Sequence, residues 1–551
     1  MRFTVHKSWG FGLAAAGLAV TALVVGLKYG TYVAGGSDSY GYVSQSDLWY
    51  QRQLSVQQPW VKDVPWPGGQ WVFAPLGYRP AAGRQSTEIV STYAPGLPML
   101  MAAGRAIGGP CAVFWIVPLS GAVLVLATFG LGRALASPIA GLIAAGLVLT
   151  SPVFLFMLMT PMTDVPVAAA WAAALWLLLA APAGASPARL TTRAAGAGLA
   201  CAVAILIRPN LVTVLPSLTL WFLFRALGAE RSAWRRALMD GLVFAAAAST
   251  GAVAVAAINQ NWYGSAFMSG YGAASTLFST ANVWPNLVQY TAWFRESQTL
   301  WPLAGFAALA APVAMLWPAA RSRAAVITLA AFAFVATLSY LVYGVYDAWW
   351  YLRFLLPVWP ALMIGFAAIL VAAGRRRRWI AWSAAIVVIG LGARNVVFAR
   401  DHSAFRLWKE ERRYATVGQL VRGATEPSSV IFAIQHSGSL RRYAGRLTIR
   451  FDSVDDGWLD QTIAWLSARG IASYLLVEDW EVPRFLGKFR SQEAVSRVNG
   501  APLVEYTGNG QTLLYDLRET RDPSLAVTRI VERWDGPRCP AVAPPPSGLL
   551  R

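Results

Sequence analysis

The chain of 551 residues is 56% hydrophobic and only 13% charged, with a formal net charge of +19. Ordinary globular domains carry about a quarter charged residues, so this composition excludes them and predicts a polytopic membrane protein. The positive balance does not mark a nucleic-acid binder, because the arginines fall in short clusters between apolar runs, as in inward-facing membrane loops.

The first apolar run, 10–27, follows Arg2 and Lys7 and has no small-residue cleavage site before the tyrosines, so it reads as a retained first span. A long external loop follows, about 29–111. Its opening, GGSDSYGYVSQSDLW at 35–49, predicts a juxtamembrane amphipathic helix with Ser37 or Asp38 as N-cap. Tyr42 and Gln45 then follow Asp38 at four and seven residues, along one polar face. Further on, STYAPGLPMLMAAGRAIG at 91–108 has a short apolar part that contains Pro95 and Pro98. Counted as a span, it would part the arginine clusters at 133, 189–193, 225–236, 321–323 and 375–378 from the basic amino terminus; it is therefore expected to be juxtamembrane or re-entrant.

Spans need about 20 apolar residues. Further candidates lie at 112–131, 139–159, 165–181, 194–207, 211–224, 242–258, 300–317, 324–343, 355–373 and 379–398, which brings the expected number to eleven. The two around Arg208-Pro209-Asn210 are short, and the proline predicts a tight pair or one broken helix. A membrane domain over 1–399 with an inward amino terminus places everything after it outside.

Beyond residue 400 the chain alternates strand-like runs (VIFAI, LTIRF, SYLLVE, TLLYDL) with helical ones such as LDQTIAWLSARG. This predicts a small external α/β domain over 400–525, then a Pro-rich tail, 526–551, expected to be disordered. Cys111, Cys201 and Cys539 are scattered and odd in number, so neither a disulfide framework nor a thiolate metal site is expected.

Nine acidic residues precede residue 400: Asp38, Asp47, Asp63, Glu88, Asp164, Glu230, Asp240, Glu296 and Asp347. In this topology all but Glu230 and Asp240 face outward, and none sits mid-span. An ion-coupled transporter would carry ionisable residues near the bilayer midplane. Acids gathered at one water-lipid boundary suit chemistry on a substrate whose polar head lies there. Asp164, in LMTPMTDVPVAAAW, repeats the setting of Asp38 at a second outward end, and both also read as helix caps, with Pro166 tolerated in the first turn.

At these residues the chain resembles the membrane-embedded C-type glycosyltransferases, the group that includes protein O-mannosyltransferases and the lipid A aminoarabinose transferase. The resemblance rests on Ser37-Asp38-Ser39 in the first external loop, YAPGLPMLMA, an arginine-ended second span, MTDVP at the third, and YLRFLLPVWP before a late span, and covers about 10–373. It implies transfer of a sugar from a polyprenyl-phosphate donor to a glycan, lipid or protein acceptor at the outer face of the inner membrane, with inversion at the anomeric carbon. It places the catalytic acids on Asp38 and Asp164. Members with a paired Asp-Glu in the first loop differ here, since Ser39 follows Asp38, which puts in doubt any mechanism needing adjacent carboxylates.

A polyprenyl phosphate is already a competent leaving group, so the chemistry needs a base for the acceptor hydroxyl and fixed positive charge for the phosphate. Asp38 is the candidate base. Arg353 and Arg79 are candidates for the phosphate, with interfacial snorkelling and a solvated loop charge as their structural readings. Arg208 reads equally as a substrate contact or as the partner of an external acid. Tyr42 and Tyr346 are candidate substrate contacts, although Tyr346 and its aromatic neighbours also fit an interfacial belt. His436, in the expected strand-to-helix turn of IQHSGSLRRYAGR, is a candidate contact to an anion or a structural hydrogen bonder. A divalent metal cation on Asp38 and Asp164 would have suitable oxygen ligands but no histidine neighbour. A transporter or flippase of lipid-linked glycans and a non-catalytic assembly protein for envelope polysaccharide are the competing functions.

Overall fold

The apolar runs become helices because a bilayer offers no water to backbone N–H and C=O groups, which a helix pairs internally. The computed structural model describes residues 2–83, 86–182, 184–227, 231–317, 320–508, 510–518, 527–531 and 538–544. Among these, eight helices are long and apolar enough to cross a membrane: Trp9–Tyr29, Pro110–Leu135, Pro187–Ile207, Pro209–Leu227, Trp234–Tyr263, Arg323–Leu341, Trp349–Gly374 and Arg378–Asp401. The pair Pro138–Thr150 and Pro152–Leu158, bent by 60°, makes a ninth if counted as one span. The chain is a multi-pass membrane protein.

Of the eleven runs expected, the remaining two form shorter apolar helices, Asp164–Leu179 and Trp301–Ala310, of 16 and 10 residues. Asp164–Leu179 lies along Pro187–Ile207, from Asp164 against Arg208 to Leu177 against Arg193, and is wrapped by its neighbours, with Val167, Ala168, Trp171, Ala174 and Leu175 fully buried. The bend at Ser151-Pro152 costs a helix its continuity, and the side chain at the bend is used: Ser151 Oγ accepts from Trp359 Nε1 at 2.8 Å. The proline at 209 acts similarly, ending Pro187–Ile207 at Arg208, whose backbone leaves the helical region.

The first external loop folds against the ends of this bundle. It contains the helix Asp38–Tyr50, a three-stranded antiparallel sheet in the order β1-β3-β2 (β1 Val56–Gln57, β2 Tyr78–Pro80, β3 Glu88–Ser91), and the helix Gly96–Gly108. That last helix has 13 residues, about 20 Å, and seats Gly96 on the backbone of Leu206 and Ile207.

The C-terminal part forms a six-stranded mixed sheet, β5-β4-β6-β8-β7-β9, from Val430–Phe432 (β4), Leu447–Ile449 (β5), Ser473–Glu478 (β6), Val504–Gly508 (β7), Gly510–Asp516 (β8) and Thr528–Val531 (β9). β4 runs parallel to β5 and β6, β8 antiparallel to β6 and β7, and β9 parallel to β7. Of the tail over 526–551, part is in place: β9 edges the sheet, and Ala543 N–H donates to Arg442 O at 2.8 Å. Residues 526, 532–537 and 545–551 lie outside the described residues.

The first loop and this sheet share one apolar core, in which Trp66, Val72 and Phe73 pack with Val430, Phe432 and Ile449. Burying side chains of this size contributes roughly 1.5–3 kcal/mol each, which makes the joint a structural one. Polar contacts fix its register: Arg450 N–H donates to Val72 O at 2.8 Å, Leu76 N–H to Ser437 Oγ at 3.0 Å, and Ala34 N–H to Tyr443 OH at 2.9 Å. Asp47 is clamped between Arg105 of the loop and Arg442 of the C-terminal part, the latter at 2.6 Å. Contrary to the cysteine count, Cys111 and Cys539 form a disulfide across 428 residues of sequence, because distant segments meet at the joint and spacing along the chain carries no record of that.

Gly35 belongs to the same joint. Any Cβ there would overlap Tyr414 and the carboxyl of Glu411, and Gly36 turns the chain with φ of 57°. Burial, opposed by Arg413 and aided by Glu478, pushes Glu411 up to about 7. The unfolded chain releases that proton near the usual carboxyl range while the folded protein holds it, so stability falls as pH rises from about 4.5 to 7. Glu411→Gln removes the penalty. The variant is expected to be more stable than the parent by roughly 1–3 kcal/mol at pH 8 and equal to it at pH 4.5, read as thermal midpoints in detergent micelles.

Candidate functional site

Asp38 and Asp164 each stand at the first position of a helix, and neither serves as a cap. The residues before them, Ser37 and Thr163, make no side-chain capping bond. Ser37 Oγ instead lies 2.8 Å from Tyr93 OH, and that hydroxyl donates to Asp38 Oδ1 at 2.6 Å. Asp164 Oδ1 accepts from Arg208 Nη2 at 2.7 Å, with Thr163 Oγ1 also 2.9 Å from the same nitrogen.

Arg353 joins the two acids. It lies in the 3-10 segment Trp349–Val358, a tight coil that leads through Pro357 into the helix Trp359–Gly374. Its Nη2 is 3.8 Å from Asp38 Oδ2, and its Nε is 4.0 Å from Asp164 Oδ1. The guanidinium lies over Tyr351 and Phe354 at 5.1 and 5.4 Å, a cation–π setting that fixes its plane. The two acids differ in access: the side chain of Asp38 is 39% exposed and that of Asp164 is 0%. Asp164 Oδ2 and Arg353 Nε are buried without a hydrogen-bond partner.

Arg208, set at the break after Pro187–Ile207, completes the pairing. Besides Asp164 it reaches Tyr340 OH at 3.4 Å and faces the ring of Phe354 at 5.6 Å. Of the two readings of Arg208, the partner of an external acid is the one formed. Tyr42 is buried, with its ring 4.6 Å from that of Tyr93; burial, then the charge of Asp38, raises its phenol, so it stays neutral. Tyr346 stacks on Tyr351 at 4.1 Å and contacts Phe354 at 5.4 Å, forming a wall beside Arg353.

Two candidates lie elsewhere. Arg79 donates through Nη1 to the carbonyls of Ser269 and Gly270 at 3.3 and 2.9 Å and sits between the rings of Trp71 and Tyr263. It pins the segment around residue 270 and takes no part in the Asp38–Arg353–Asp164 group. His436 is fully buried inside the C-terminal part, 3.1 Å from Glu478 Oε1 and packed on Tyr414 at 4.8 Å. Burial lowers its pKa, against the pull of Glu478. Its turn leads into the helical segment 437–444, whose first residue is already engaged, Ser437 Oγ accepting from Leu76 N–H at 3.0 Å.

Tyr93, Thr163 and Tyr340 are the contacts that the sequence did not single out. Tyr93 stands 55 residues from Asp38, and only its place just before Pro95 in the YAPG turn sets it apart. Burial, with Asp38 nearby, raises its phenol well above the usual range, so it remains a donor. A divalent cation is poorly matched: among the described residues no three His, Cys, Asp or Glu side chains gather, and the guanidinium of Arg353 already occupies the space between the two carboxylates.

Residues 93–250 match the family model described as dolichyl-phosphate-mannose-protein mannosyltransferase. The fold as a whole is that of membrane-embedded C-type glycosyltransferases. It is similar to the structure of ArnT from Cupriavidus metallidurans bound to undecaprenyl phosphate, at 15% identity and a TM-score of 0.58, over 94% of this chain and 99% of that one. It is also similar to the archaeal oligosaccharyltransferase AglB from Archaeoglobus fulgidus in complex with an inhibitory peptide and a dolichol-phosphate, at 11% identity and a TM-score of 0.55, over 93% of this chain and 75% of that one. The mycobacterial arabinofuranosyltransferase AftD aligns at 15% identity and a TM-score of 0.50, over 91% of this chain and 40% of its own. No curated protein matches the sequence.

The difference in burial separates the two acids experimentally. Asp164→Asn leaves Arg208 and Arg353 short of a buried counter-charge and is expected to destabilise by about 3–5 kcal/mol. Asp38→Asn, at a half-open pair 3.8 Å apart, is expected to change stability by less than about 1 kcal/mol. Thermal midpoints of the two variants in micelles check the order, and equal losses would contradict it.

Proposed function

We propose that the protein is an inverting glycosyltransferase that moves a sugar from a polyprenyl-phosphate donor to an acceptor at the outer face of the inner membrane. The observation that carries this reading is that two carboxylates from separate turns, one open and one sealed, face a single guanidinium. Support for the donor comes from the similar folds: the ArnT structure contains undecaprenyl phosphate and the AglB structure dolichol-phosphate.

The reaction is a single displacement. The acceptor oxygen forms a bond to the anomeric carbon from one side while the carbon–oxygen bond to the phosphate breaks on the other, and the electron pair leaves with the phosphate. Asp38, open to solvent, takes the acceptor's proton. Arg353 offers its fixed charge to the departing phosphate, where a planar guanidinium pairs with oxygens in a dry surrounding. Asp164 touches neither substrate; it acts through Arg353 and Arg208, holding both by charge. Tyr346, beside Arg353, provides a ring face for the sugar. The Cys111–Cys539 disulfide favours an oxidising compartment for the first loop and the C-terminal part, hence an inward amino terminus.

Purified protein incubated with a panel of polyprenyl-phosphate sugars and envelope extract is expected to consume at least one donor, with inverted configuration in the product. Asp38→Asn is expected to lower kcat by about 10²–10⁴-fold while donor binding persists. Consumption of no donor, or an Asp38→Asn variant as active as the parent, overturns the reading. Orientation has a separate check: in intact cells a membrane-impermeant thiol reagent is expected to label Cys111 and Cys539 only after an added reductant. Labelling that requires permeabilisation would place this face inside.

A further inference from the structure

The displacement just described leaves one contact of Asp38 unused. The hydroxyl of Tyr93 lies 2.6 Å from Asp38 Oδ1 and 2.8 Å from Ser37 Oγ. An ionised carboxylate only accepts, so Tyr93 donates to Asp38 and accepts from Ser37. A half-exposed aspartate turns easily about its last torsion, and an ion pair at 3.8 Å does little to stop it. Tyr93 is the one group at hydrogen-bond distance from this carboxylate among the described residues.

The phenol is itself held from several sides. Its ring packs on Tyr42 at 4.6 Å and meets the edge of Tyr271 at 6.1 Å. Gly41, one turn into the Asp38 helix, lies so close that any Cβ would overlap the Tyr93 ring. Tyr93 N–H donates to Ser91 Oγ at 3.1 Å, and Ser91 Oγ donates to Gln45 Oε1 at 2.9 Å, tying the end of β3 to the helix that carries Asp38. Ser91 O in turn accepts from Tyr263 OH at 2.6 Å. Such a phenol cannot swing to follow the carboxylate; the carboxylate must orient to it.

We propose that Tyr93 is a positioning residue for Asp38: by occupying Oδ1 it fixes the carboxylate so that Oδ2, the oxygen facing Arg353, receives the acceptor's proton. The inference rests on the glycosyltransfer reading above. One consequence follows from ordinary chemistry: a fixed base keeps the acceptor oxygen in line with the anomeric carbon, which enters kcat rather than donor affinity.

The test is steady-state kinetics of full-length Tyr93→Phe, which keeps the ring and its packing, against the parent with the donor that the panel identifies. Expected are a kcat lower by about 10–100-fold and a donor KM within about twofold. Ser37→Ala, which removes the bond behind the phenol, is expected to lower kcat by a smaller factor at the same KM. Unchanged kcat in Tyr93→Phe overturns the inference, as does a loss confined to KM and thermal midpoint. Should Tyr93→Phe fail to fold, Ser37→Ala decides, and an unchanged kcat there overturns it. A parent enzyme that consumes no donor overturns both readings; an active parent with an indifferent Tyr93→Phe overturns only this one.

Discussion

The pairing of the sealed carboxylate of Asp164 with Arg208 is the interaction on which the site depends. An unpaired charge in that surrounding would cost several kcal/mol, so the helix starting at Asp164 and the break at Arg208-Pro209 must meet. Their meeting leaves the same carboxylate 4.0 Å from Arg353 Nε and thereby aims that guanidinium outward, where Asp38 lies. Position and charge are thus set inside the bundle, while Asp38 stands at its open edge.

Asp38 reaches that edge through the joint between the first loop and the C-terminal part. Trp66 and Phe73 anchor the loop in the core of the six-stranded sheet, and the Arg105–Asp47–Arg442 clamp fixes the far end of the Asp38 helix. Gly35 and Gly36 admit Tyr414 and Gln435 to the chain just before Asp38, where a larger residue would force the turn apart. The C-terminal part therefore acts on the site through packing, and a change at the joint reaches the carboxylate along one turn of helix. Arg79 has a comparable role on the other flank, since it holds the segment that brings Tyr271 against Tyr93.

The helical runs, the short segment at 91–108 and the two acids at helix starts were legible because each is a local pattern: hydropathy over a window, proline breaks, and charge between spans. Helix lengths were less so: the runs at 165–181 and 300–317 form helices of 16 and 10 residues, bounds that hydropathy blurs. Arg79 and His436 looked like candidates because arginine in a loop and histidine in a turn are chemically suited to anions; the structure commits one to backbone carbonyls and the other to Glu478.

By itself the amino-acid sequence determined that the chain lives in a membrane and that Asp38 and Asp164 each stand at the start of a helix. Only the tertiary structure decided that those two share Arg353, that Tyr93 hydrogen-bonds the open one, and that Cys111 joins Cys539. Hydropathy and caps are written in neighbouring residues, whereas these contacts link positions 55 to 428 residues apart along the chain. Such approaches are fixed by packing and by the cost of leaving a buried charge unpaired, neither of which leaves a periodic trace.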